Sequence, residues 1–384
     1  MSIVDRLDAD LAELDAADLR RRRRIIESRH GTEVVVDGRR AINFCSNDYL
    51  GLADEPALTE AAVAGARRWG VGAGASHLVS GHFAIHEAAE ARLAAYVGCE
   101  SALLFSTGYM ANAGVMSALV GRGDAIFADK LNHASLVDGA LLTRADLKRY
   151  PHRDLAALDR LLAQSTAPRK LIVTDSVFSM DGDLAPLAEI AALAETHDAW
   201  LMIDDAHGLG VIGPQGRGAL KHFDLNAERI LYIGTLGKAA GVAGAFAAGS
   251  KRLTDWLLQK TRTYIFTTGA PPLLAECLLE AADLMESGDA RRATVRRHID
   301  RLRTGLPGAR LLESDTPIQP LIVGDNGKAL ALGQTLFEQG LWVPAIRPPT
   351  VPEGSARLRI SLSAAHTDAQ IDKLIAALRQ ALAA

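Results

Sequence analysis

Trp200-Leu-Met-Ile-Asp-Asp-Ala-His-Gly208 and Ile230-Leu-Tyr-Ile-Gly-Thr-Leu-Gly-Lys238 follow one pattern, an apolar run that ends on chemistry-bearing side chains. Short apolar runs bounded by turn residues read as buried strands. Similar runs at residues 102–105, 125–128, 171–174, 200–203, 230–233 and 243–248 alternate with longer helix-like segments. That alternation predicts an α/β fold with a mostly parallel sheet. In such sheets ligands gather outside the carboxyl ends of the strands. Five of the runs are followed there by suggestive residues: Gly108 and Tyr109, Asp129 and His133, Asp175 and Ser179, Asp204 and His207, Thr235 and Lys238. The five strand ends are expected to converge on one site.

Upstream, Gly70-Val-Gly-Ala-Gly74 has the look of a dinucleotide turn. It follows a helical pattern running from Pro56 to Trp69, whereas that fingerprint leaves a strand and opens a helix. A loop near a ligand is expected instead. Ile3, Leu7, Leu11 and Leu14 recur at roughly helical spacing, so residues 3–19 are expected to form a helical arm. The arginines from Arg20 to Arg24 follow as a solvated face or a landing for an anionic substrate, and composition favours the former. Beyond Pro271 and Pro272 a long helical stretch, rich in arginine over 291–303, leads to strands at 318–323, 341–346 and 358–362 and helices at 328–339 and 368–382. Thr367 and Gln370 have capping-box spacing before Ile371, Leu374, Ile375, Leu378 and Leu382, which share one helix face. The expected division is an arm over 1–45, a large α/β domain over 46–285 and a smaller C-terminal α+β domain over 286–384.

A chain of 384 residues suggests two or three lobes with room for a site between them. Lys and Arg total 42 against 46 Asp and Glu, a formal charge of −4 that gives no reason to expect nucleic acid as a partner. Cys45, Cys99 and Cys277 have no metal-like or disulfide-framework spacing, which fits a reducing, cytoplasmic compartment. No apolar stretch approaches the roughly 20 residues of a membrane helix. The acidic start, with Asp5, Asp8, Asp10 and Glu13, resembles no targeting segment. No Gly-x-Ser-x-Gly or His-Glu-x-x-His occurs, which removes the serine-hydrolase and zinc-protease readings.

An amine, a carboxylate and an imidazole at adjacent strand ends suit pyridoxal phosphate. That cofactor needs a lysine for its aldehyde and an acid on its pyridinium nitrogen, which keeps the ring an electron sink. Lys238, flanked by Gly237 and Ala239, has room for a flat ring. A carboxylate directly after Trp200-Leu-Met-Ile203 needs a partner, because an unpaired buried charge is costly. Asp204 and Asp205 both qualify. Ser106-Thr-Gly-Tyr-Met-Ala-Asn112 offers a helix start for a phosphate. Thr235 and the pair Thr267-Thr268 are further hydroxyl candidates. His133 is placed to lie on the ring and polarise a substrate carbonyl, with Ser179 at a neighbouring strand end.

Asn43-Phe-Cys-Ser-Asn-Asp-Tyr-Leu-Gly51, Ser176-Val-Phe-Ser-Met-Asp-Gly182, Asp204-Asp-Ala-His-Gly208 and Thr235-Leu-Gly-Lys238 together resemble the α-oxoamine synthases, fold-type-I pyridoxal-phosphate enzymes, over nearly the whole chain. Ile318-Gln-Pro-Leu-Ile-Val-Gly-Asp-Asn326 and Ala345-Ile-Arg-Pro-Pro-Thr-Val-Pro352 resemble the branch that joins L-alanine to a pimeloyl thioester. The alternative is another α-oxoamine synthase, such as a glycine acetyltransferase. The resemblance implies catalytic roles for Lys238 and His133. It implies cofactor contacts from Gly108, Tyr109, His133, Ser179, Asp204, His207, Thr235 and Lys238, and from Thr267 toward a neighbouring subunit. Arg21, His133 and Thr350 match substrate-contacting positions, and Asn47, Arg347 and Arg359 are further candidates for a substrate carboxylate. A homodimer is implied, and an acyl carrier protein or coenzyme A as the acyl carrier. Ser76-His77-Leu78 departs from the family, which more usually has glycine or arginine there.

Overall fold

The computed structural model describes residues 3–383. The apolar runs form a seven-stranded sheet in the order Ser101–Phe105, Ala245–Gly249, Ile230–Thr235, Trp200–Asp204, Lys170–Asp175, Ala125–Asp129, Asp146–Tyr150. Four neighbouring pairs are parallel, and Ala245–Gly249 runs antiparallel to both of its neighbours. Ser101–Phe105 therefore points the same way as Ile230–Thr235. The carboxyl ends at Phe105, Asp129, Asp175, Asp204 and Thr235 consequently share one edge of the sheet, as the alternation predicted.

The central strands are uninterrupted apolar runs because both faces are covered. Ile172, Val173, Met202, Ile203, Leu231 and Ile233 are all buried. Helix Gly108–Leu119 contributes Ala111, Val115, Met116 and Leu119 to the core formed with Leu103, Ile126, Leu171, Met202, Leu231 and Leu257. Each large apolar side chain so buried stabilises the fold by about 1.5–3 kcal/mol before ordering costs.

The chain divides into two compact units. One holds Asn47–Ser179 and Asp183–Ala293 and contains the seven-stranded sheet. The other comprises the described residues up to Ser46, Met180–Gly182 and those from Thr294 onward. It contains two three-stranded sheets. Within it the capping box of the last helix, Asp368–Ala383, is formed: Thr367 N–H donates to Gln370 Oε1 at 3.0 Å and Gln370 N–H donates to Thr367 Oγ1 at 3.2 Å. Ile371, Leu374, Ile375 and Leu378 are buried, while Leu382 on the same stripe is exposed.

Several expected elements differ. The strand expected at 341–346 is two short pieces in different sheets, Leu341–Trp342 beside Arg39–Asn43 and Ala345–Ile346 beside Ala356–Ser361. Pro344, which has no N–H to donate to a ladder, separates them. The stretch after Pro272 is two helices, Pro272–Glu286 and Asp289–Gly305, interrupted at Ser287 and Gly288. The N-terminal helix stops at Ala16, short of residue 19. The strand expected from 243 starts at Ala245, because Gly244 sits at a φ of 99°. Asp146–Tyr150, Glu33–Val36 and Arg39–Asn43 were not anticipated. Asp146-Leu-Lys-Arg-Tyr150 is an edge strand, and charged side chains on an edge discourage further pairing.

Gly234 lies within Ile230–Thr235, and a Cβ there would stand 2.3 Å from Phe246 Cε1 on the adjacent strand. Gly234→Ala is expected to destabilise the protein by about 1–3 kcal/mol through overpacking. Thermal denaturation measures this, and an unchanged midpoint would show that the Phe246 ring yields without cost.

Candidate active site

The paired acids at the end of Trp200–Asp204 are separated by their bonding. Asp205 is fully buried and saturated: its carboxylate accepts from Ser176 Oγ, from Tyr232 Oη at 2.7 Å and from Ala219 N at 2.8 Å. Burial pushes its carboxyl up to about 6, against these donors. Asp204 Oδ1 accepts from Ala206 N at 3.0 Å, and Oδ2 accepts from Asn112 Nδ2 at 2.7 Å. Asp205 therefore ties neighbouring segments together, and Asp204 is the carboxylate suited to a ring nitrogen.

Lys238 Nζ stands 2.9 Å from His207 Nε2, and His207 Nδ1 stands 2.7 Å from Tyr49 Oη. Tyr49 Oη donates its proton to Asn47 Oδ1 at 3.1 Å. His207 Nδ1–H then donates to the Tyr49 oxygen, which leaves Nε2 as the acceptor for the Lys238 amine. Asn47 is thus drawn into the lysine's hydrogen-bond chain. Tyr49 is a participant that sequence reasoning missed, although it stands in the Asn43-to-Gly51 motif.

His133 caps the helix Ala134–Thr143, with Nδ1 accepting from Ser135 N at 3.2 Å. The His133 backbone N–H donates to Asp175 Oδ2 at 2.8 Å. Burial lowers the imidazole's pKa, as does the charge of Lys238, against the pull of Asp204 and Asp138. Burial raises the Asp175 carboxyl well above its usual range, and the Asp204 charge adds to this. Asn112 was also unassigned from sequence. A lone buried amide in the apolar helix Gly108–Leu119 was the available signal, since buried polar groups demand partners.

Gly108 opens that helix after the cap Thr107, whose Oγ1 accepts from Met110 N at 3.2 Å. A Cβ on Gly108 would come within 2.7 Å of Thr235 Cγ2, so the helix start and the Thr235 turn are in close contact. First-turn amides of a helix favour an anion. Tyr109 is exposed and its hydroxyl donates to Asp138. Ser179 lies in the turn after Lys170–Asp175, and Thr267 follows the short helix Arg262–Ile265 beside the Ser76–Thr268 bridge. Arg21, Arg347, Thr350 and Arg359 belong to the other unit. There Arg359 is buried and donates to Ser361 Oγ at 2.8 Å, and Arg347 Nε is a buried donor with no hydrogen-bond partner among the described residues.

The departure at His77 has a packing explanation. Its ring stacks on Tyr264 at 4.8 Å, and its Nδ1 lies 2.8 Å from His82 Nδ1. Burial, with His86 and His82 nearby, pushes His77 down to about 4, so a neutral ring seats this loop. His152 fixes another strand end. Its Nδ1–H donates to Asp129 at 3.0 Å and its Nε2–H to Asp183 at 2.9 Å. Burial opposes the charge, but the two carboxylates together outweigh it and push the imidazole up to about 9.

The residues in the sheet-bearing unit fit pyridoxal phosphate: an amine for the aldehyde, a buried carboxylate for the ring nitrogen and a helix start for the phosphate. A family profile described as aminotransferase class I and II matches residues 39–378. The 8-amino-7-oxononanoate synthase of Azoarcus sp. (strain BH72) is 62% identical over 381 residues, covering 99% of this chain and 98% of that protein. Among solved structures, a serine palmitoyltransferase carrying pyridoxal phosphate superposes with a TM-score of 0.93 at 31% identity, covering 99% of this chain and 98% of that one. The 8-amino-7-oxononanoate synthase of Francisella tularensis gives 0.78 at 30% identity, covering 89% and 98%. The chain belongs to the aminotransferase class I and II family of pyridoxal-phosphate enzymes, and within it to the 8-amino-7-oxononanoate synthases.

Asp204→Ala is expected to weaken pyridoxal phosphate binding by roughly 10- to 100-fold, the worth of a hydrogen bond to a charged group, as measured by equilibrium dialysis. Asp205→Ala should instead lower thermal stability by about 1–3 kcal/mol; equal effects of the two on cofactor affinity would reject the division of labour. For His152, the folded pKa lies above the unfolded value of about 6.5. Its contribution is therefore fully present below about 6.5 and lost as pH rises through about 9. The stability gap between wild type and His152→Gln, followed by denaturant titration, should shrink over that window.

Proposed function

We propose that this chain condenses L-alanine with a pimeloyl thioester, giving 8-amino-7-oxononanoate, carbon dioxide and the free carrier thiol. The observation that carries this reading is the 62% identity, over 99% of the chain, to an 8-amino-7-oxononanoate synthase. Bound pyridoxal phosphate supplies an electron sink for the charge left at the alanine α-carbon. Lys238 Nζ takes the α-proton as general base, and His207 Nε2 at 2.9 Å holds that amine in place. Asp204 holds the ring nitrogen, and His133 donates to the thioester oxygen as charge develops there.

Gly108, Tyr109 and Thr235 are our candidates for the phosphate, with Ser179 beside the ring and Thr267 reaching a partner subunit's phosphate. Arg21, Asn47, His133, Arg347, Thr350 and Arg359 are our candidates for substrate contacts. Guanidinium groups suit the carboxylates of alanine and pimelate. A homodimer is supported by the exposed apolar stripe of Ile3, Leu7, Leu11 and Leu14, a surface that a second copy would cover. We assign the functional domains as 1–45, 46–285 and 286–384. Free Cys45, Cys99 and Cys277 fit a cytoplasmic location. No helix among the described residues is long and apolar enough to cross a membrane.

The test is mass spectrometry of products from L-alanine supplied with pimeloyl-CoA or with pimeloyl-acyl carrier protein. The expected product is 8-amino-7-oxononanoate, lost in Lys238→Ala, and the more efficient donor identifies the carrier. Its absence with both donors would overturn the assignment.

A further inference from the structure

We propose that Asn112 and Ser135 are positioning residues that lock His133 as the neutral Nε2–H tautomer, so that its ring meets cofactor and substrate only as a hydrogen-bond donor. The proton positions are fixed one after another, outward from Asp204. An ionised carboxylate only accepts, so the Asn112 atom 2.7 Å from Asp204 Oδ2 is the amide nitrogen. The second hydrogen on that nitrogen points to Ser135 Oγ at 2.9 Å. Ser135 Oγ therefore accepts from Asn112, and its own proton goes to His133 Nδ1 at 2.7 Å.

The backbone N–H of Ser135 reaches the same Nδ1 at 3.2 Å. A nitrogen facing two donors has no place for a proton of its own. The reverse arrangement, with Nδ1–H donating to Oγ, would set that proton against the Ser135 N–H. It would also leave the Ser135 hydroxyl with no acceptor among the described residues. The imidazolium form meets the same obstacle, in keeping with the lowered pKa that burial gives His133. The proton of the neutral ring therefore sits on Nε2.

The segment is held against rearrangement. Asp175 Oδ2 accepts the His133 backbone N–H at 2.8 Å, and Asn132 spans to the next strand by donating to Val173 O at 2.8 Å and accepting from Asp175 N at 3.3 Å. The same buried carboxylate that suits the ring nitrogen thus sets, through an amide and a hydroxyl, which nitrogen of His133 carries a proton. The catalytic benefit rests on the synthase reading above, but the tautomer does not.

Long-range 1H–15N NMR of the [15N]histidine-labelled holoenzyme and cofactor-stripped enzyme near neutral pH tests this, with His133→Gln assigning the signal. The expected result is Nε2–H with unprotonated Nδ1 in both forms; a wild-type Nδ1–H tautomer or imidazolium would overturn the proposal. Ser135→Ala should give mixed tautomers and lower kcat by the fraction lost from the Nε2–H form, roughly 2- to 10-fold, with the KM for alanine nearly unchanged, and Ser135→Thr should restore both. A Ser135→Ala protein that keeps the pure Nε2–H tautomer would also overturn it. If product were absent but the tautomer as stated, only the assigned activity would fail.

Discussion

The rest of this structure depends on the desolvation of carboxylates at the end of a buried parallel sheet. Asp175, Asp204 and Asp205 are buried at neighbouring strand ends, where ionised groups are costly without compensation. The fold meets that cost in two ways. Asp205 is compensated internally, by Ser176, Tyr232 and Ala219. Asp204 is met by an amide and a backbone N–H alone, which leaves it suited to a cationic ring nitrogen.

The same carboxylate organises groups that sequence distance hides. Asn112, Ser135 and His133 lie on two helix starts, yet they form one hydrogen-bonded line leading from Asp204. Lys238, His207, Tyr49 and Asn47 form a second line with its own proton direction. The two differ in what their imidazoles present. His133 has an N–H left for bound groups, whereas His207 turns an acceptor toward the lysine. Two histidines of equal intrinsic pKa are thus assigned opposite roles by neutral neighbours.

Much of this was legible in the sequence because doubly covered parallel strands are nearly pure apolar runs. Trp200–Asp204 and Ile230–Thr235 were recognisable for that reason, and the residues that follow them marked the sheet edge. Asp146–Tyr150 was not, because an edge strand need not be apolar and its Asp-Leu-Lys-Arg-Tyr pattern looks like loop. The break at Pro344 was missed because the apolar residues on either side continue the run. Asp204 and Asp205 were indistinguishable by their residue pattern, and only the family resemblance picked out Asp204, since their physical difference lies in donors from Ala219 and Tyr232, well beyond the local motif. Asn112 stood inside a recognised helix start and Ser135 two residues beyond a recognised histidine, but the direction of a proton along a chain of side chains exists only once the chain has folded.

Ala245–Gly249 is the one strand of the seven that runs backward, and among the described residues it is also the only strand beside Ser101–Phe105. During synthesis from the N-terminus, Ser101–Phe105 emerges well over a hundred residues before the strand it must pair with. Its buried apolar side chains and unpaired backbone have no sheet to join until the lysine-bearing segment has also been made. Such distant pairing is slow and leaves sticky edges exposed meanwhile. The helix start at Gly108 can meet Thr235 only after that closure. The sheet edge that carries the site is therefore completed only once translation has passed Gly249, late in the making of the chain.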